Sequence, residues 1–92
     1  MDFEWDETKN AINREKHGVA FEVMPAFDWS RAGIRIDDRR DYGEQRFLAY
    51  GPIGDSGLYV VAFTVRGDKY RIISVRPFGR KDHKHYEPPE TT

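Results

Sequence analysis

The residues best suited to acid–base and phosphate chemistry fall in two stretches of the chain. Near the N-terminus, four polar residues share one side of a helical pattern: Lys9, Asn13, Lys16 and His17. Near the C-terminus, residues 65–86 hold seven Lys/Arg against two Asp, besides two histidines. An imidazole titrates near neutral pH, and a guanidinium offers phosphate a planar pair of N–H donors. The stretch favours a phosphate or acidic peptide as ligand; the alternative is a solvated face with dispersed charges.

Composition limits the classes of protein that the sequence fits. The 92 residues are 38% hydrophobic and 34% charged, with a net charge of -1 and no cysteine. We expect one globular domain over residues 1–88 and a flexible tail over 89–92, stabilised by packing because disulfides are impossible. The N-terminus does not resemble a signal peptide and no apolar run is long enough to cross a membrane, so a cytoplasmic protein without a membrane partner is expected. The three histidines lack zinc-site spacing, and neither a metal nor a cofactor is expected.

The hydrophobic pattern predicts the elements that must position these residues. A short strand over residues 3–5 precedes a helix with Asp6 as its N-cap and Gly18 as its left-handed C-cap. A second short helix is predicted over residues 20–27. Three or four longer strands follow, over residues 33–37, 46–50, 58–66 and 69–78, and a basic C-terminal helix is predicted over residues 79–86. Six apolar residues are predicted to form the core: Trp5, Phe21, Phe27, Tyr59, Val61 and Phe63. The sequence therefore predicts an α+β domain, with helices packed on an antiparallel sheet of about four to five strands.

A hairpin between the last two strands sets where their arginines lie. Gly67 and Asp68 are predicted to form its two-residue loop, with glycine at the first central position. Opposed residues are then predicted to pair as follows: Arg66 with Lys69, Thr64 with Arg71, Ala62 with Ile73, and Tyr59 with Arg76. This register places Arg76 at the end of the hairpin away from the turn, although a slip of one residue would reverse the faces.

Two short motifs give the chain a family resemblance. Lys16-His17-Gly18 and the segment RIISVR at residues 71–76 resemble the pattern of BrnT-type toxins of bacterial type II toxin–antitoxin pairs, which belong to the RelE/ParE-like fold group. The remaining matched positions are spread over nearly the whole chain: Trp5, Asp6, Lys9, Asn13, Phe21, Asp82 and Tyr86. The chain departs from the pattern at residues 77–79, where small or basic residues are usual, and at Asp82, where Glu is usual. The resemblance implies a single RelE-like domain.

The same resemblance implies an activity and partners. It implies a metal-independent endoribonuclease that inhibits translation and is neutralised by a BrnA-like ribbon-helix-helix antitoxin. DNA would be contacted only through the complex with that antitoxin. Two alternatives remain open on the sequence: a non-catalytic ParE-like toxin, and a nucleic-acid- or protein-binding module.

RNA cleavage without a metal needs a base for the 2′-hydroxyl, positive charge on the phosphorane and a proton for the leaving oxygen. The residues assigned to these catalytic roles are His17, Arg66, Arg76 and Tyr86. The residues expected to bind the substrate are Lys9, Asn13, Lys16, Arg71 and Lys81. Five of these have structural alternatives: His17 on the helix dipole, Asn13 on loop backbone groups, Lys16 as an ordinary basic residue at a helix C-terminus, Arg76 paired with Asp6 or Glu4, and Tyr86 at the core edge.

Overall fold

A computed structural model describes residues 2–87 of the chain. Its elements in chain order are β1 (Asp2–Glu4), α1 (Glu7–His17), two 3₁₀ helices (Phe21–Ala26 and Trp29–Arg31), β2 (Gly33–Asp37), β3 (Arg46–Pro52), β4 (Leu58–Arg66), β5 (Lys69–Pro77) and a C-terminal 3₁₀ helix (Arg80–Lys84). The predicted tail at 89–92 lies outside the described residues. Between residues 2 and 87, no helix is long and apolar enough to cross a membrane.

One five-stranded sheet forms the centre of the fold, in the order β1-β5-β4-β3-β2. The α+β class is confirmed, but the prediction of a purely antiparallel sheet is wrong. β1 runs parallel to β5, with Phe3 opposite Tyr70, while the other neighbouring strands are antiparallel. The direction of β1 depends on its pairing with a strand more than sixty residues away, which a three-residue apolar–polar alternation does not encode.

Local capping fixes the ends of α1. At the N-terminus, the Asp6 carboxylate accepts hydrogen bonds from the Thr8 and Lys9 amides at 2.8 and 3.1 Å. At the C-terminus, Gly18 adopts a left-handed conformation with φ 72°, and its amide donates to the Arg14 carbonyl at 2.8 Å. A residue with a Cβ rarely adopts this conformation, so the glycine ends the helix directly after His17. Both caps were predicted from the sequence and are confirmed.

Each face of the sheet has its own hydrophobic cluster. The larger one lies under the first two 3₁₀ helices and includes Phe21, Met24, Phe27, Val61 and Val75. Phe63 is also buried there, as predicted, while Trp5 and Tyr59 are only partly buried against this cluster. The smaller cluster, on the opposite face, consists of four buried residues partly covered by Ile73 and the C-terminal segment: Leu48, Tyr50, Val60 and Ala62. The C-terminal 3₁₀ helix follows directly on β5, beside this smaller cluster.

A β-bulge in the β4–β5 hairpin corrects the predicted register. Near the turn, Arg66 opposes Lys69 and Thr64 opposes Arg71, as predicted. Beyond Phe63 the register shifts by one, so the predicted pairs Ala62–Ile73 and Tyr59–Arg76 are wrong. The observed pairs there are Ala62 with Ser74, Val60 with Arg76 and Tyr59 with Pro77. The extra residue, Ile73, brings Arg71 and Arg76 to the same face of the sheet, because their partners Thr64 and Val60 are an even number of residues apart.

Candidate active site

Arg76 is held in one orientation by a buried carboxylate. Its Nη1 and Nη2 donate to the two oxygens of Asp82 at 2.8 and 2.9 Å, and Nη1 also donates to the Pro77 carbonyl at 3.2 Å. The Gly79 amide donates to the same carboxylate at 2.8 Å. The partner proposed from the sequence, Asp6 or Glu4, is therefore wrong. Within residues 2–87 these contacts leave the Nε–H and one Nη2 hydrogen of Arg76 available to a ligand.

The ion pair shifts the pKa of Arg76 and the pKa of Asp82 in the directions that keep both groups charged. The Arg76 guanidinium lowers the pKa of the Asp82 carboxyl to about 2, although burial of Asp82 opposes the shift. In return, the Asp82 hydrogen bonds raise the pKa of Arg76. The side chain of Asp82 is only 4% exposed and that of Arg76 is 32% exposed. The Arg76 guanidinium is thus held by a buried carboxylate on one side and is accessible to solvent on the other.

On the α1 side of β5, a hollow of about 180 Å³, which we call the α1 hollow, is lined by all four of the predicted N-terminal residues. Its lining is Lys9, Ile12, Asn13, Lys16, His17, Ile73 and Ser74. Burial, Lys16 and Arg76, in that order of size, lower the pKa of His17. His17 is therefore neutral at pH 7 and able to accept a proton.

On the other side of Arg76 is a second concavity of about 380 Å³, which we call the β2 groove. It is lined by Arg35, Arg39, Leu48, Tyr50, Arg76, Lys81, Asp82, Lys84 and His85. The structure thus places the predicted residue Lys81 beside Arg76. Ser74 lines the α1 hollow and Arg76, two residues later on the same face of β5, lines the β2 groove.

Asn13 lies in the α1 hollow but uses its amide inside the protein. Its Nδ2 donates to the Val19 and Val75 carbonyls at 2.9 and 2.8 Å, and its Oδ1 accepts from the Val75 amide at 3.1 Å. Asn10 also binds the backbone, because its Oδ1 accepts a hydrogen bond from the Phe21 amide at 2.8 Å. Both asparagines are buried, and these contacts favour the structural alternative for Asn13.

Tyr86 packs across the smaller cluster. Its ring stacks on Tyr50, with centroids 6.3 Å apart, and its hydroxyl donates to the Arg31 carbonyl at 2.7 Å. Because the hydroxyl proton is directed at a backbone carbonyl, these contacts favour closure of the core edge over proton transfer.

Two predicted arginines lie towards the turn end of the hairpin. Arg66 is paired with Glu44 at 3.3 Å, and Arg71 with Glu4 at 3.3 Å. Arg76 lies opposite Val60, and Val60 is six residues from Arg66 along β4. At the rise of a strand, this separates Arg66 from Arg76 by roughly 20 Å. The structure does not bring Arg66 together with His17 and Arg76.

Five residues of the β2 groove were missed from the sequence: Arg35, Arg39, Tyr50, Lys84 and His85. Arg35 and Arg39 are far from the basic stretch along the chain and lie on either side of Asp37 and Asp38, so charge counting does not single them out. In the described part of the chain, no group of three or more His, Asp or Glu side chains is placed to hold a metal ion.

Comparison with known proteins assigns the family. A family model described as the ribonuclease toxin BrnT of type II toxin–antitoxin systems matches residues 5–82. The 1.1 Å crystal structure of the Brucella abortus ribonuclease toxin BrnT is similar in fold, with a TM-score of 0.67 and 25% sequence identity, covering 87% of this chain and 99% of that chain. A search of curated proteins finds no match. Since the family model spans most of the chain, the protein belongs to the BrnT family of type II toxin–antitoxin ribonuclease toxins.

Proposed function

We propose that this protein is a metal-independent endoribonuclease that arrests translation in the cytoplasm. The observation that carries the proposal is the position of Arg76, which Asp82 holds two residues beyond Ser74, and Ser74 lines the same hollow as His17. An imidazole and a fixed guanidinium on these neighbouring segments are a minimal set for attack of an RNA 2′-hydroxyl on the adjacent phosphorus.

In the proposed reaction, the neutral His17 takes the proton of the 2′-hydroxyl. The 2′-oxygen then bonds to phosphorus, and the free Nε–H and Nη2–H of Arg76 stabilise the charge of the phosphorane. The bond from phosphorus to the 5′-oxygen breaks, and the His17 imidazolium returns the proton to that oxygen. The products are a 2′,3′-cyclic phosphate and a free 5′-hydroxyl, so protons and charge balance without a metal.

The lysines of the two concavities are proposed to bind the substrate. Lys9 and Lys16 line the α1 hollow and Lys81 lines the β2 groove, so the three flank Arg76 on both sides. Arg71 shares the sheet face with Arg76, but it is paired with Glu4 and lies towards the hairpin turn. We leave Arg66, Asn13 and Tyr86 out of the proposed catalytic and binding set because of the contacts described above.

The proposed partner is a BrnA-like ribbon-helix-helix antitoxin, through which alone the complex would contact DNA. The basic surface around Arg76 offers charge complementarity to an acidic or amphipathic segment of such a partner. Phe78 lies on this face beside Tyr50, whereas Tyr70 packs with Trp29 on the opposite face. An antitoxin over the Arg76 side therefore has Phe78, and not Tyr70, as its aromatic contact.

Cleavage of a 5′-labelled RNA by the purified protein in EDTA tests the activity. We expect cleavage in EDTA at the rate seen with magnesium, and fragments that end in a 2′,3′-cyclic phosphate. Cleavage that requires magnesium would contradict the mechanism. Arrest of growth by a folded protein that cleaves no RNA would instead support the non-catalytic toxin, and neither arrest nor cleavage would support a binding module.

Co-expression with the product of the neighbouring gene tests the partner. We expect a stable complex in which RNA cleavage is inhibited. If the neighbouring product does not bind, or binds while cleavage continues at the full rate, the proposed neutralisation is wrong.

A further inference from the structure

The β2 groove carries much more positive charge than its own carboxylates can neutralise. Five cationic side chains line it: Arg35, Arg39, Arg76, Lys81 and Lys84. Asp82 binds Arg76 through both of its oxygens and Asp37 binds Arg39, so within residues 2–87 Arg35, Lys81 and Lys84 are left without a carboxylate partner. Like charges gathered on one concave surface repel one another, so this arrangement lowers stability unless an anion binds there.

The three arginines of the groove are positioned before any ligand arrives. Arg39 donates through Nε and Nη2 to Asp37 at 2.7 and 2.8 Å, and Tyr42 donates to the same carboxylate at 3.2 Å. Arg35 donates through Nε to the buried Tyr50 hydroxyl at 3.0 Å, and within residues 2–87 its two terminal nitrogens have no hydrogen-bond partner. Fixing a guanidinium in advance reduces the entropy lost when it binds a ligand.

Charge also affects His85, an exposed aromatic side chain that lines the groove. His85 lies 5.9 Å from the Tyr50 ring between centroids, and burial together with Arg35 and Lys84 lowers its pKa. The imidazole is therefore neutral at pH 7 and exposed on its outer side. A neutral exposed ring beside a basic groove is suited to stack on a base of a single strand.

We propose that the β2 groove binds a phosphate of single-stranded RNA that flanks the scissile one, through the terminal nitrogens of Arg35 and the ammonium of Lys84, with the adjoining base on His85. This inference rests on the proposed function, because it takes the scissile phosphate to lie between His17 and Arg76. Arginine forks match the paired oxygens of a phosphate, and the groove is continuous with Arg76 at its floor.

Binding of a short 2′-O-methyl RNA, which lacks the attacking hydroxyl, tests the groove without turnover. We expect Arg35→Gln and Lys84→Gln each to weaken binding about 5- to 20-fold at low salt, and to reduce the slope of log Kd against log salt by about 0.7. Arg35→Lys keeps the charge without the fork, and an intermediate affinity is expected. Lys69→Gln, which removes one charge at the distant hairpin turn, is the matched control and should leave the affinity within twofold.

Equal affinity of the groove variants and Lys69→Gln, with melting temperatures showing that all are folded, would overturn the proposal. Titration with adenosine 5′-monophosphate separates two sources of phosphate. Binding of the nucleotide as tight as that of the RNA would mean a small-molecule site and would overturn the RNA assignment. An oligoglutamate peptide that binds through Arg35 and Lys84 while RNA does not would overturn it as well.

The binding assay tests the groove and the cleavage assay tests the proposed function, so the results show which of the two proposals fails. If the groove variants lose RNA binding and the wild type cleaves no RNA in EDTA, the groove stands and the proposed function fails. If wild-type protein cleaves RNA and the groove variants bind it normally, the proposed function stands and the groove fails.

Discussion

The side chain of Asn13 pairs with the backbone of Val75 as a neighbouring strand would. Its Nδ2 donates to the Val75 carbonyl at 2.8 Å and its Oδ1 accepts from the Val75 amide at 3.1 Å. β1 pairs with β5 only as far as Arg71, so no strand formed by residues 2–87 pairs with the outer edge of β5 beyond that point. A helical asparagine thus satisfies the edge of β5 immediately before Arg76 and fixes the end of α1 that carries His17.

Asn13→Ala is expected to lower the free energy of unfolding by about 2–4 kcal/mol, because it leaves the buried Val75 amide and carbonyl without partners. Urea denaturation measures the change. Ile12→Ala is a suitable control, since this neighbouring side chain is 57% exposed and should contribute less than about 0.5 kcal/mol. A loss in Asn13→Ala no larger than in the control would show that the pairing does not stabilise the fold.

The pair of Asp82 and Arg76 predicts how stability depends on pH. The pKa of Asp82 falls from 3.8 to about 2 in the folded protein. A carboxyl with a lowered pKa stabilises the fold above its unfolded pKa, and this contribution is lost as the pH falls from about 4 towards 2. The shift corresponds to about 2 kcal/mol at neutral pH.

Asp82→Asn should therefore be less stable than wild type at pH 7 and approach it as the pH falls to about 2. Chemical denaturation at several pH values follows the difference. The exposed Asp38 offers a control, since Asp38→Asn should change stability little at any pH. A difference between wild type and Asp82→Asn that is constant from pH 7 to pH 2 would contradict the assignment.

Tyr86→Phe separates a structural role of this side chain from a catalytic one. Removing the hydroxyl deletes the hydrogen bond to the Arg31 carbonyl and is expected to lower stability by about 1 kcal/mol without changing the cleavage rate. Gly33→Ala should weaken the same contact from the other side, because a Cβ there would lie 2.9 Å from the Tyr86 ring. A large loss of rate in folded Tyr86→Phe would return this hydroxyl to the catalytic set.

The lowered pKa of His17 predicts the acid limb of the pH–rate profile. If neutral His17 is the base, the rate should rise with pH and reach its half-maximum below 6.5, the ordinary value for histidine. Lys16→Gln should move this midpoint upwards, because the Lys16 charge is one of the causes of the shift. Lys9→Gln, which removes a charge from the same hollow, should leave the midpoint in place.

His17→Gln decides whether the imidazole acts in catalysis or only on the helix dipole. The catalytic role predicts loss of most activity in a folded protein. The capping role predicts a loss of up to about 1 kcal/mol of stability with the rate nearly unchanged. Melting curves and rates measured on one sample distinguish the two outcomes.

Features encoded by neighbouring residues were predictable from the sequence. The caps of α1 need only Asp6 and Gly18, and the turn end of the hairpin needs only Gly67 and Asp68. The bulge at Ile73 was not predictable, because it depends on how Ile72 and Val75 fit a core formed by other elements. The parallel pairing of β1 with β5 is likewise a long-range choice.

Candidate residues could be predicted where they belong to short motifs in the sequence. They could not be predicted where only the fold brings distant residues together. His17, Lys16 and Arg76 were predicted from residue type and family pattern, and they lie around one end of β5. The β2 groove was missed because Arg35 and Lys84 are almost fifty residues apart. Asn13 was assigned to the substrate because a polar residue on a helix looks exposed until the edge of β5 is placed beside it.

The most direct test of the central claim compares two arginines at opposite ends of the β4–β5 hairpin. Single-turnover cleavage of RNA in EDTA should be about 30- to 1,000-fold slower in Arg76→Ala, from the loss of one charge-assisted contact of roughly 2–4 kcal/mol in the transition state. Arg66→Ala removes the same side chain about 20 Å away and should cleave at nearly the wild-type rate. Undiminished cleavage by a folded Arg76→Ala protein, or an equal loss in both variants, would contradict the account.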